Sequence, residues 1–197
     1  MPLREPTATS KVEFVERRSK FVCEAQRIAD DQDARHLIAQ KRAEHPKASH
    51  VVYAFSHGDE RNRQFGMSDD GEPRNTAGRP ALEVVRGSSV TNVLVTIVRY
   101  FGGTKLGTGG LVHAYSEGAK RALEAVPTTW LVEEVKEALT CPYGYLDGVK
   151  AAIIGHGGRL ISESYGEVVS LTVGVSKRER EHLEKALRDA SRGSVGF

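Results

Sequence analysis

The sequence predicts an α+β protein of two domains, and three observations carry that expectation. Residues 93–98 are apolar almost throughout, the mark of a strand buried on both faces. A glycine-rich segment follows, and then Leu111, Ala114, Tyr115, Gly118, Ala119, Ala122, Leu123 and Val126 recur at helical spacing on one face. Beyond Pro127, strand-like and helix-like stretches alternate anew, which sets an expected boundary between a domain at 11–126 and one at 127–197. Residues 1–10 read as a flexible leader.

Residues 12–16 and 20–26 alternate apolar and polar side chains, so they predict a hairpin through the basic turn Arg17-Arg18-Ser19. Asp30 or Asp31 is placed to cap a helix reaching about Glu44, with Leu37 and Ile38 inside and Pro46 just beyond its end. Residues 50–55 are β-branched and aromatic enough for a strand, and His57-Gly58-Asp59 opens a polar connection. Asp-Gly and Glu-Pro within residues 68–80 favour tight turns. Thr76 suits an N-cap and Pro80 the first turn of a helix reaching about Arg86.

After Pro127 the reading is a strand over 131–141, then a helix marked by Leu146, Val149 and Ile153 and ended by Gly157-Gly158. A hairpin follows over 160–165 and 168–175 around Gly166. Ser176 with Glu179 forms a capping box for a helix with Leu183, Ala186 and Leu187 inside, and residues 194–197 read as a closing strand. That order, βαββαβ, is the ferredoxin-like split motif. Trp130, the one tryptophan, is expected at the interdomain edge.

Two stretches carry chemistry. From Gly102 to Gly110, five of nine residues are glycine: Gly102, Gly103, Gly107, Gly109 and Gly110. Between a strand and a helix start, such a loop lets backbone amides converge beside the helix's unpaired N–H groups, and Lys105 adds a mobile positive charge. The combination suits an anion, most simply phosphate. It is not a standard nucleotide loop, because Lys105 is followed by Leu106 rather than Ser or Thr, and G-x-G-x-x-G is absent. A purely structural turn is the competing reading. The second stretch holds Asp69, Asp70 and Glu72 close to Arg74 and Arg79. Three carboxylates suit a hard cation such as magnesium or calcium, although the spacing is no specific ion loop, and amide capping with arginine pairing is the alternative. Tyr100 and Phe101 offer stacking surfaces if exposed, and core packing is the commoner fate of such aromatics.

Composition narrows the classes. The 197 residues are 39% hydrophobic and 27% charged, with no apolar run long enough to span a membrane. The opening residues lack the hydrophobic region of a signal peptide, and Cys23 and Cys141 are isolated, so a reducing cytoplasm is expected, with no disulfide framework, no cysteine-based zinc site and no membrane partner. A net charge of +2 does not announce nucleic acid. No His-Glu-x-x-His or Gly-x-Ser-x-Gly is present.

The motifs Asp69-Asp-Gly-Glu-Pro73, Thr76-Ala-Gly-x-Pro80 and Arg99-Tyr-Phe-Gly-Gly-x-Lys-Leu-Gly-x-Gly-Gly-Leu111, with Ala114-Tyr115, resemble those of the YigZ/IMPACT family. Ser19-Lys-Phe-Val22 and His45-Pro-Lys-Ala-Ser-His50 resemble that family's earlier blocks. The resemblance implies a ribosomal-S5-domain-2-like first domain, a fold shared with translation factors and small-molecule kinases. It also implies a small second domain similar to one of elongation factor G. By the same resemblance the chain is a translation-linked binding protein contacting RNA or the ribosome without a cofactor. Its phosphate-facing residues would be Arg79, Arg99, the five glycines, Lys105 and His113. Eukaryotic relatives modulate activation of a starvation-responsive initiation-factor kinase, which adds a protein partner in translation control as a reading. A metal-dependent phosphotransferase or dipeptidase-like hydrolase is the enzymatic alternative. Two departures bear on the site: His113 stands where the family usually carries arginine, and Arg74-Asn75 replaces a small pair.

Overall fold

The computed structural model describes residues 2–132 and 134–197. They form two compact units, the first ending at Leu131 and the second beginning at Val132, where the sequence places the break at 126/127.

The first unit is built on an antiparallel sheet of order β2-β3-β6-β4-β5, with β2 Ser10–Glu16, β3 Ser19–Arg27, β4 His50–His57, β5 Gln64–Ser68 and β6 Val93–Tyr100. The central place of β6 explains its nearly continuous apolar run, broken only by the buried Thr96. Val93, Val95 and Ile97 join the core beneath α2 (Gly78–Gly87) and α3 (Gly107–Ala125), while Leu94 faces α1 (Asp31–Glu44) on the opposite side. Asp30 caps α1 as expected, its Oδ1 accepting from the Asp33 amide at 2.8 Å, and Asp33 returns a carboxylate to the Ala29 amide at 2.9 Å. Helix α2 is capped differently from the expectation. Thr76 turns its hydroxyl to the Pro73 carbonyl, and Asp69 reaches in from the preceding loop to accept from Ala77 and Gly78 at 3.1 and 2.8 Å.

The leader is not a free tail. Within it Arg4–Pro6 forms β1, paired antiparallel with β7, Thr128–Trp130, and the Arg4 amide bonds Ser89. The Arg4 guanidinium lies 4.8 Å over the Trp130 ring, and that cation–π contact occupies a ring that remains half exposed.

The second unit contains β8 Glu134–Cys141, α4 Leu146–Gly155, β9 Arg159–Tyr165, β10 Val169–Ser176 and α5 Arg180–Ala190. Its antiparallel order β8-β10-β9 is that of a ferredoxin-like motif through its first five elements. The sixth does not form. After α5 the chain reverses at Gly193, the Val195 amide bonds the Ser191 hydroxyl at 2.9 Å, and Val195 drops into the core with Phe197 packed partly buried against it. The apolar residues that suggest a strand are used as a plug after the helix.

Among the described residues, no helix is long and apolar enough to cross a membrane. Both cysteines are free and buried. Burial pushes the Cys23 thiol up to about 12 and raises that of Cys141 as well. Neither thiol is expected to react with a disulfide reagent near pH 8 until the chain unfolds, and titration in the presence and absence of denaturant reads this out.

Candidate functional site

The site begins with an arginine at the end of a core strand. Register places Arg99 of β6 opposite Phe21 of β3 and His50 of β4, so the side chain is drawn inside the sheet's end and the residue is only 5% exposed. A buried charge demands a partner. Arg99 Nη1 donates to Glu72 Oε1 at 2.6 Å and Nη2 donates to Ser19 Oγ at 3.2 Å. The guanidinium also stacks near Phe21 and Phe101, at 5.8 and 5.5 Å. Its Nε–H is buried and has no partner.

Glu72 is the acceptor at the centre of this group. The same Oε1 accepts from the Tyr115 hydroxyl at 2.7 Å, and His50 Nε2 lies 3.7 Å away. Burial first, and then the neighbouring Glu72 charge, push the Tyr115 phenol far above its ordinary range, so Tyr115 stays a donor. Strands β4 and β6, the loop before α2 and the core face of α3 thus meet at one carboxylate, and β3 joins through Ser19 on Arg99.

The other two carboxylates go elsewhere. Asp69 accepts from the amides of Asn75, Ala77 and Gly78. Asp70 accepts from the Val51 amide and from Arg42, each at 2.6 Å. The stretch is a folded turn in which Asp69 and Asp70 bond amides and Arg42. Among the described residues, no group of three or more His, Cys, Asp or Glu is placed to hold a metal ion.

Beside Arg99 lies an open cleft of about 370 Å³, lined by Glu72, Pro73, Arg99, Phe101, Lys105, Leu106, Gly107, Thr108 and Leu111. Its floor is apolar, Phe101 is half exposed at its edge, and Lys105 is exposed. Helix α3 starts here with Leu106 as N-cap. No side chain caps its amides and no acidic residue sits in its first turn, which leaves the positive end of the helix uncompensated at the cleft.

The sequence-predicted residues therefore divide. Glu72, Arg99, Lys105 and Gly107 line one cleft. Gly102 and Gly103 form the approach to it, and Gly109 and Gly110 lie in the first turn of α3 without lining it. Arg79 is exposed on α2, outside the cleft lining. His113 is not at the cleft: it lines a separate recess with Phe14, Glu16, Glu117 and Arg121, because its position on α3 faces β2. Of the paired aromatics, Phe101 is exposed, whereas Tyr100 is partly buried with its hydroxyl 2.7 Å from His45 Nδ1. Sequence reasoning missed Ser19, whose hydroxyl also accepts from the Gly102 amide at 3.4 Å, and it read Tyr115 only as a core residue. A small hydroxyl directly after two arginines in a hairpin turn is the one local signal for Ser19.

Comparison with known proteins agrees with the sequence motifs. The Impact N-terminal domain model matches residues 17–123, and a domain of unknown function, DUF1949, matches 139–194. An IMPACT family member from Haemophilus influenzae is 35% identical over 180 residues, 91% of this chain and 87% of that one. The IMPACT family member YigZ of Escherichia coli is 36% identical over the same length, 91% of this chain and 88% of its own. A crystal structure of a hypothetical protein superposes with a TM-score of 0.84 at 34% identity, covering 99% of this chain and 96% of that one. The fold defines a two-domain α+β protein with a cleft beside a buried arginine. The chain belongs to the IMPACT family.

Proposed function

We propose that this chain is a cytoplasmic, translation-linked binding protein whose first unit holds phosphate groups of RNA, free or on the ribosome, at the cleft beside Arg99. The observation that carries the reading is the uncapped start of α3 at Gly107, set with Lys105 around an open cleft. Such an end attracts anions through its free N–H groups and its dipole. The translation link is what family resemblance implies. The metal-dependent alternative finds less support, since Asp69 and Asp70 are spent on amides and Arg42, and Glu72 on Arg99 and Tyr115.

Lys105→Ala tests the reading. Its RNA affinity is expected to fall similarly for different sequences, as a phosphate contact should. The plot of log affinity against log salt should become shallower by about 0.7 if the contacted strand is single. His113→Ala serves as the control and is expected to leave binding unchanged, since that side chain lines another recess. An unaltered salt slope in a folded Lys105→Ala protein would leave the glycines as a structural turn.

A further inference from the structure

Strands β2 and β3 are joined by two residues, Arg17 and Arg18, with Glu16 opposite Ser19. Both carry positive φ, 45° and 69°, the backbone of a type I′ turn. That turn favours Asn-Gly, because both central residues need the left-handed region, where Gly has no Cβ to clash and Asn is among the few other residues that enter readily. Two arginines are therefore a poor choice for folding. They are also exposed, and among the described residues neither side chain has a hydrogen-bond or charge partner, unlike Lys11 and Lys20 nearby, which pair with Glu24 and Glu13.

The turn is fixed against the approach to the cleft. Gly102 packs so closely on it that an added Cβ would lie 1.9 Å from the Arg18 carbonyl oxygen. The Ser19 hydroxyl accepts from both the Gly102 amide and the Arg99 guanidinium, which ties the turn to the residue lining the cleft. Arg99 itself, 5% exposed, retains a buried Nε–H without a partner.

We propose that the Arg17-Arg18 turn is a second phosphate-binding element, contacting the backbone of the same RNA strand beside the phosphate held at Lys105. This rests on the RNA reading given above. Arginine suits the role because its planar fork bonds phosphate oxygens in pairs. The turn's unfavourable backbone is what a position chosen for charge, rather than for turn formation, would show.

The test improves the turn while removing the charge. In the full chain, Arg17→Asn with Arg18→Gly is expected to leave the melting temperature unchanged or raise it by roughly 2–4 °C. Its RNA affinity should fall, and its salt slope should be shallower by roughly 1.4, two phosphates at the single-strand value. The affinity gap to the unmodified protein should then shrink about sevenfold between roughly 50 and 200 mM salt. Arg17→Lys with Arg18→Lys keeps the charge and should keep the slope. If the neutral variant melts lower, Arg17→Gln with Arg18→Gln provides the charge comparison in its place. A slope equal to the unmodified protein's, where Lys105→Ala is flattened, overturns the turn's role and leaves the cleft reading standing. Salt-insensitive or absent RNA binding by the unmodified protein overturns both.

Discussion

Glu72→Ala is expected to destabilise the first unit by about 3–5 kcal/mol, the usual result of removing one member of a buried ion pair. The loss follows from what remains. The guanidinium of buried Arg99 would keep only the Ser19 hydroxyl, and the Tyr115 hydroxyl would be buried without an acceptor. Urea unfolding gives the size directly, as a drop in midpoint at constant slope. Glu72→Gln should cost less, since an amide oxygen still accepts, although its NH2 group must find a place among donors. The double variant Glu72→Leu with Arg99→Met should recover much of the loss, because a well-packed apolar pair can replace a buried ion pair with little penalty. A cost below about 1 kcal/mol for Glu72→Ala would mean that the pair behaves as a solvated surface bridge. The result also bears on chemistry. A carboxylate whose Oε1 is held by Arg99 and Tyr115 fastens strands, loop and helix together, and this fastening explains Glu72 without catalysis.

Much of this was legible from residues, and the exceptions have physical causes. Strand β6 shows itself because burial on both faces leaves no polar alternation to confuse it. Helix α1 shows itself through Asp30 and through Leu37 and Ile38, of which Ile38 is buried with Ala34 and Leu37 is partly buried against them. Strand β5 does not, because Gly66 interrupts it where the Phe55 ring covers the backbone, and an added Cβ there would lie 2.2 Å from that ring. Strands β1 and β7 are three residues each and exist only through a pairing across more than 120 positions, so no local pattern can announce them. At the site, Glu72 and Arg99 are readable as charged residues, but their pairing depends on register. Arg99 is buried only because β6 aligns it with Phe21 and His50. The glycine loop and Lys105 were found from composition. His113 was placed with the loop by family resemblance, as the residue standing where arginine is usual, while the turn of α3 carries it to the β2 side.

The glycines of the loop are not equivalent, and one substitution at two of them should move stability in opposite directions. Gly102→Ala places a Cβ 1.9 Å from the Arg18 oxygen, 2.1 Å from its carbonyl carbon and 2.6 Å from the Ser19 nitrogen. All three are backbone atoms, so no side chain can swing away, and the β2–β3 turn must lift off the loop. A cost at or above the upper end of ordinary overpacking is expected, about 3 kcal/mol. Lifting the turn also breaks the bond that Arg99 donates to the Ser19 hydroxyl, so RNA affinity should fall together with stability. At Gly109 an added Cβ meets nothing within 4 Å, and the residue lies in the first turn of α3 outside the left-handed region. There alanine is the better helix former by up to about 1 kcal/mol, so Gly109→Ala should be neutral or stabilising. Thermal melting of the two variants side by side reads the contrast. If both responses are small and equal, the contact between turn and loop does not hold the approach to the cleft, and the Arg17-Arg18 turn moves independently of Lys105.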